Sequence, residues 1–261
     1  MVSGKLRWVA TCLTAVAAVI VTAGRSTADI TLTVYEVDSA GTVVGGPLFN
    51  QTQSGNSYNF SGITTGIFNI ISVNPNLFTD GNFSSLTTTF NLQISPNFNQ
   101  TLGHGLQFVI TATDAINNFP GSPGSITNNA SASSAIVGTG GLNNIAGVNK
   151  VQSITTVLGV TTPVSTDQRG DGSVSFPPAD TTTGNVANLP STYSIIQTIN
   201  VYAIPVNSNA VISPNATFGG TASSTVTATP APIPAPAGVV LLLTALPVLG
   251  FRRPIRPQSV N

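Results

Sequence analysis

The segment ITLTVYEV, residues 30–37, alternates apolar and polar side chains and constrains the fold more than any other feature of this sequence. Successive side chains of an extended chain point to opposite faces, so this alternation predicts a strand with one buried and one solvated face. Threonine and valine favour such a pleated surface, whereas the abundant Asn, Ser and Gly interrupt helices and form turns. The composition therefore favours sheets over helices.

Seven further segments repeat this pattern between clusters of Gly, Pro, Asn and Asp. They are SYNFSGI (57–63), GIFNIISV (66–73), LTTTFNLQI (86–94), GLQFVITAT (105–113), VQSITTVLGV (151–160), SIIQTINVYAI (194–204) and TASSTVTAT (221–229). So many short strands, without a convincing amphipathic helix between them, predict an all-β protein with a single β-sandwich-like body.

Two segments fit this pattern less well. ITNNASASSAIVG (126–138) is compatible with either a short helix or a loop, and the sequence leaves that choice open. The turn-rich, apolar-poor segment TDQRGDGSVSFPPADTTTG (166–184) predicts a long surface loop.

The N-terminus is typical of a secretory signal peptide. Two basic residues precede an apolar stretch at 8–23, and Ser26 and Ala28 then fit the small-x-small rule for signal peptidase, with cleavage before Asp29. A permanent membrane anchor is the alternative, but the apolar stretch is shorter than the roughly 20 residues that a spanning helix needs. We therefore expect signal peptidase to remove residues 1–28.

The remaining body has few ionic groups. The only cysteine, Cys12, lies in the signal peptide, so the mature chain can form neither a disulfide nor a zinc-thiolate site. Between the two ends, only Lys150 and Arg169 oppose all eight acidic residues. A body with so few cations has no electrostatic footprint for nucleic acid or an anionic membrane.

Candidate residues for chemistry are few. His104 is the only histidine, and a serine triad around it would lack the G-x-S-x-G nucleophile elbow, so we predict no catalytic residue and no cofactor. Asp167, Asp171 and Asp180 lie close together in the sequence and have the hard oxygen ligands that calcium prefers. Their spacing does not match an EF-hand. Whether they bind calcium stays open, and the alternative is that they are solvated loop acids.

The C-terminus contains three features in a fixed order. Pro232-Ile233-Pro234-Ala235 is followed by an apolar run, Gly238–Phe251, and then by Arg252-Arg253. This order resembles the PEP-CTERM sorting signals of Gram-negative bacteria, in the variant that has an aliphatic residue between the prolines. The resemblance implies transient insertion of the apolar run in the membrane, processing by an exosortase-type membrane protease, and an association with exopolysaccharide or biofilm.

Together these features predict four regions: a signal peptide (1–28), an all-β body (29–217), a spacer rich in Thr, Ser, Pro and Ala (218–236), and a hydrophobic sorting segment with a basic tail (237–261). The expected function is that of an exported, non-enzymatic cell-surface or matrix protein that associates with exopolysaccharide. A secreted glycan-binding module is the main alternative, and a secreted hydrolase is a more distant one.

Overall fold

A computed structural model describes residues 28–96, 105–133, 136, 147–170, 179–205, 212 and 215–230 of the 261-residue chain. These residues form strands and no helix, which confirms the prediction of an all-β fold. The strands are β1 (Asp29–Val37), β2 (Val43–Ser54), β3 (Phe60–Thr64), β4 (Phe68–Thr79), β5 (Phe83–Ile94), β6 (Gly105–Ile116), β7 (Ser122–Ala132), β8 (Gly147–Val157), β9 (Val160–Thr161), β10 (Ser165–Arg169), β11 (Thr181–Leu189), β12 (Thr192–Pro205) and β13 (Thr217–Ala228).

The strands form two antiparallel sheets that pack face to face. Sheet A has the order β10-β8-β12-β6-β1-β2, with β9 paired to β8, and sheet B has the order β11-β7-β13-β5-β4-β3. The predicted β-sandwich is therefore confirmed. Its order mixes distant parts of the chain, since β1 pairs with β6 and β13 lies between β7 and β5.

The core lies between the sheets and follows the alternation seen in the sequence. Ile30, Leu32 and Val34 of β1 are fully buried, while the residues between them are half-buried on the outer face. Two aromatic pairs also fill the interior. Phe90 of sheet B and Phe108 of sheet A have ring centroids 5.7 Å apart, and Phe68 and Phe218 pack edge to face within sheet B. Burial of these apolar side chains stabilises the fold without disulfides.

The segment 151–160, predicted as one strand, is a hairpin. Strand β8 ends at Val157, and Leu158 and Gly159 form a two-residue turn with φ of 50° and 81°. Positive φ at both central residues is the geometry of a type I′ turn, whose twist matches that of paired strands. The apolar Leu158 concealed this turn from sequence analysis.

The boundary between body and spacer was predicted too early. Thr217–Ala228 is strand β13, which pairs with β5 on one side and β7 on the other, so the sandwich continues to residue 228 and the spacer cannot begin at 218. The strand predicted at 221–229 overlaps β13, and the predicted spacer covered the same residues because small inward residues such as Ala222 and Ser224 give a weak apolar signal.

Three other segments differ from the sequence interpretation. The open segment 126–138 is strand through Ala132. The predicted loop 166–184 begins within β10 and ends within β11, so its ends are sheet rather than loop. Strand β2 had no predicted counterpart, because it is an edge strand that is exposed along most of its length and lacks alternation.

The described strands all belong to the first of two units, residues 1–229 and 230–261. Among the described residues no helix has the length and apolar character needed to cross a membrane. The apolar run that is expected to insert transiently in the membrane, Gly238–Phe251, lies outside the described residues.

Candidate functional site

Sheet B contains no ionic side chain in any of its strands. None of its six strands includes Asp, Glu, Lys, Arg or His. Its outward side chains are Thr, Ser and Asn for the most part, and each hydroxyl or amide can both donate and accept hydrogen bonds. This sheet therefore presents a broad neutral polar surface.

The strand register arranges these side chains in rows. We call this surface the hydroxyl-amide face and define it by the outward residues Asn74, Asn76, Phe78, Phe83, Ser85, Thr87, Thr89, Thr127, Asn129, Thr181, Thr183, Thr221, Ser223 and Thr225. One row crosses five strands through Thr181, Asn129, Ser223, Thr87 and Asn76.

Side-chain hydrogen bonds within the face are few and long. Thr225 Oγ1 donates to Ser85 Oγ at 3.3 Å, and Asn129 Nδ2 donates to Thr181 Oγ1 at 3.2 Å. Each group retains further donor or acceptor capacity. The face can therefore hydrogen-bond to a ligand without breaking its own structure.

An aromatic pair stands at one end of the face. Phe78 is 55% exposed, and its ring centroid lies 5.6 Å from that of Phe83 with a tilt of 39°. The turn between β4 and β5 positions both rings: Asp80 Oδ1 accepts hydrogen bonds from the backbone N–H groups of Asn82 and Phe83. Gly81 is required there, because its φ is 85° and a Cβ would lie 2.0 Å from Asn118 Nδ2.

A shallow cleft of about 420 Å³ lies at the opposite end of β5 and β13. Asn91, Ser133, Thr217, Gly219 and Thr221 are among the residues that line it. A Cβ on Gly219 would come within 2.6 Å of the Phe90 carbonyl oxygen and 3.2 Å of Ser133 Oγ. The glycine both permits the close strand approach and keeps the cleft open.

A polar network connects the sheets inside the sandwich. Gln197 Nε2 donates to Ser224 Oγ at 2.8 Å, and Ser224 Oγ lies 2.6 Å from Thr155 Oγ1, which donates to Asn128 Oδ1 at 3.0 Å. The Thr155 hydroxyl has one proton and donates it to Asn128 Oδ1, so the Ser224 hydroxyl must be the donor to Thr155 Oγ1. Ser153 Oγ also donates to Asn128 Oδ1, at 2.8 Å. All five side chains are fully buried, so the network fixes how sheet A lies on sheet B.

Of the three aspartates considered as calcium ligands, the two that the structure describes have different surroundings. Asp167 is buried, with Oδ2 accepting from Ala132 N at 2.8 Å, so the expectation of a solvated loop acid is wrong for this residue. Asp180 is exposed and its Oδ1 accepts from Thr166 N at 2.6 Å. Asp171 lies outside the described residues, and the described part of the chain holds no group of three or more His, Cys, Asp or Glu suited to a metal.

The strands of sheet A contain charged side chains, unlike those of sheet B. Lys150 Nζ lies 5.4 Å from the centroid of the Tyr202 ring, an attractive cation–π geometry. Burial raises the pKa of Tyr202, and the Asp38 carboxylate raises it further. Burial also raises the pKa of Tyr193, against a smaller lowering by its hydrogen bond with Ser84.

The residues predicted for processing lie mostly outside the described part of the chain. Ser26, Pro232, Pro234, Arg252 and Arg253 are not described, and neither is His104. Ala28 is buried, and its N–H donates to Asn56 Oδ1 at 3.0 Å. Asp29 is the first residue of β1. Cleavage between these two residues stays a prediction.

Comparison with known proteins adds little to this picture. No protein-family model and no curated protein matches the chain. A solved structure described as showing the "promiscuous specificity of the carbohydrate-binding modules from the beta-sandwich super family" is similar at 13% identity over 77% of this chain and 84% of that chain, with a TM-score of 0.15. A similarity at that TM-score carries no argument about this protein.

Proposed function

We propose that this protein is an exported, non-enzymatic cell-surface or extracellular-matrix protein of a Gram-negative bacterium, and that its body associates with exopolysaccharide. The observation that carries the proposal is the absence of ionic residues from all six strands of sheet B. A surface of this breadth without charge is unusual, because charged residues make up about a quarter of an ordinary soluble domain.

A neutral polar face suits a polyhydroxylated chain. Covering an ionic side chain with an uncharged ligand costs free energy unless the ion finds a partner, and sheet B has no such side chain in its strands. Hydroxyl and amide groups can instead exchange hydrogen bonds with water for hydrogen bonds with sugar hydroxyls. Many weak contacts of this kind fit a structural protein held within a polysaccharide matrix.

Export and sorting form the other half of the proposal. Signal peptidase would release the N-terminus, and an exosortase-type protease would act on the C-terminal signal. The last described strand, β13, ends at Ala228, before the proline-rich segment begins. Removal of residues beyond 230 would therefore take away none of the described strands.

A discrete glycan-binding module is the second candidate, and the cleft over Gly219 favours it. The two functions differ in selectivity. A module should bind one glycan tightly on an array, whereas a matrix protein should bind several neutral polysaccharides weakly.

The intact mass of the surface-released protein tests the sorting proposal. In a host that carries an exosortase, we expect a form that lacks the basic tail. Replacing Pro232 and Pro234 with Ala should leave an uncleaved protein tethered to the membrane, because residues before proline are held in the extended geometry that proteases bind. Replacing Arg252 and Arg253 with Ala should let the tail pass through the membrane. A released wild-type form that still ends at Asn261 would contradict the proposal.

A further inference from the structure

We infer that the hydroxyl-amide face binds a single extended chain of an uncharged polysaccharide, which lies along β5 and β13 and stacks a sugar ring on Phe78. This inference rests on the proposed function and adds the site and the class of ligand to it.

The aromatic pair supplies the anchor. Phe78 is the most exposed large apolar side chain among the described residues, at 55%. Its neighbour Phe83 is half-buried and supports it at 5.6 Å. The C–H face of a pyranose ring is apolar and flat, so it can remove the Phe78 ring from water without leaving a polar group unpaired.

Hydroxyls next to the aromatic pair supply polar contacts. Phe78 stands directly opposite Ser85 on β5, and Ser85 stands opposite Thr225 on β13. The next row adds Thr87 and Ser223. A sugar stacked on Phe78 therefore meets uncharged donors and acceptors on the side toward the centre of the sheet.

The orientation of the bound polysaccharide follows from the features at the two ends of the hydroxyl-amide face. Phe83 and Asn91 are outward residues toward the two ends of β5, and the eight residue-to-residue steps of strand from one to the other span about 26 Å. The cleft over Gly219 lies at the Asn91 end. Strands β5 and β13 are also the central pair of sheet B, so a chain along them has polar side chains on both sides.

Charge selects the kind of polysaccharide. Without Lys, Arg or His in its strands, sheet B cannot pair with the carboxylates or sulfates of an anionic chain. An anionic polysaccharide would have to lose hydration without gaining a counter-charge. We therefore commit to an uncharged chain, and binding to anionic chains is a result that would count against the inference.

The test uses the full chain, purified in detergent, on an array that pairs neutral polysaccharides (glucans, mannans, galactans and xylans) with anionic ones (alginate and polygalacturonate). We expect retention on at least one neutral chain and stronger binding to long oligomers than to disaccharides of the same sugar. Phe78→Ala should weaken binding roughly ten- to thirtyfold, and Thr87→Val roughly threefold.

Leu48→Ala is the matched control, because Leu48 is 42% exposed but lies on the edge strand of sheet A. It should bind like the wild type, and circular dichroism of each variant should match that of the wild type. The inference is overturned if the wild type binds no neutral chain, if it binds only anionic chains, or if Phe78→Ala binds as well as Leu48→Ala. Retained binding by Phe78→Ala would leave the proposed function intact and would place the contact elsewhere on the body. Failure of the sorting part of the proposed function is detected separately, by the intact mass of the released protein.

Discussion

Asp167 is the one carboxylate that is fully buried among the described residues. Its side chain is 0% exposed, Oδ2 accepts from Ala132 N at 2.8 Å and from Arg169 Nε at 3.2 Å, and Oδ1 has no hydrogen-bond partner in the described structure. Ser165, two residues earlier, accepts from Ala130 N at 2.8 Å. These two side chains tie the edge strand β10 of sheet A to β7 of sheet B.

This arrangement predicts the cost of removing the carboxylate. Asp167→Ala leaves the Ala132 N–H buried without a partner and should lower the free energy of unfolding by about 2 kcal/mol. Asp167→Asn keeps an oxygen acceptor and should cost less. Arg169→Ala is the control: because Arg169 is 51% exposed, its ion pair is screened by solvent and we expect a loss below about 1 kcal/mol. Urea unfolding measures all three, and an Asp167→Ala protein as stable as Arg169→Ala would show that β10 is held by other contacts.

At the scale of elements, the sheets are held together by polar as well as apolar contacts. Where β8 and β12 face β7 and β13, the interior contains the network of Gln197, Ser224, Thr155 and Asn128. Where β1 and β6 face β4 and β5, it contains aliphatic and aromatic side chains. The polar half specifies the relative position of the sheets, because each hydrogen bond has one geometry.

A double-mutant cycle tests this network. Thr155→Val removes the acceptor of the Ser224 hydroxyl, and Ser224→Ala removes one of the two partners of Gln197 Nε2, the other being the Leu86 carbonyl oxygen at 3.3 Å. Each change alone should destabilise the protein. The loss of stability in the double variant should be about 1 kcal/mol smaller than the sum of the two single losses. Both hydroxyls are absent from the double variant, so neither is left buried without its partner. Additive effects in urea unfolding would contradict the proposed chain of donors.

The difference between apolar and polar inward residues also explains which strands could be predicted from the sequence. Strands β1, β5, β6 and β12 place Val, Ile, Leu or Phe at alternate inward positions, and their pattern is visible. Strand β10 places Ser165 and Asp167 inward, so it resembles a solvated loop. In β13 a strand was predicted at 221–229, but the pair Gly219-Gly220 and the small residues that follow also placed these residues in the predicted spacer. Polar and small inward residues hide a strand because the hydrophobic periodicity on which the prediction depends is missing.

The candidate site was less predictable than the fold. Phenylalanine is among the residue types that are most often buried, and Phe60, Phe68, Phe90 and Phe108 are core residues in this protein. Phe78 is outward, and the signal that could have shown it is the turn at Asp80-Gly81, which fixes the position of Phe78 and Phe83 relative to the strand ends. The rows of hydroxyls depend on pairing between strands far apart in sequence, and no local pattern specifies that register.

At the scale of the whole molecule, charge is distributed unevenly between the two sheets. Asp29, Glu36, Asp114, Lys150, Asp167 and Arg169 all lie in strands of sheet A. The strands of sheet B contain none, and Asp80 and Asp180 lie in the connections beside them. Among the described strands, those of sheet B are therefore neutral and those of sheet A contain the ionic residues. The central claim is that the neutral face, rather than ionic attraction, holds this protein in a polysaccharide matrix.

The salt dependence of co-sedimentation with exopolysaccharide from the producing bacterium tests that claim most directly. Salt screens attraction between exposed charges, with a Debye length that falls from about 30 Å at 0.01 M to about 3 Å at 1 M. Contacts made by hydroxyls, amides and an aromatic ring carry no such dependence. The account predicts that the released protein sediments with the polysaccharide equally well at both ends of this range. Binding that is present at low salt and lost at high salt would show that the ionic groups of sheet A carry the association, and would contradict the account.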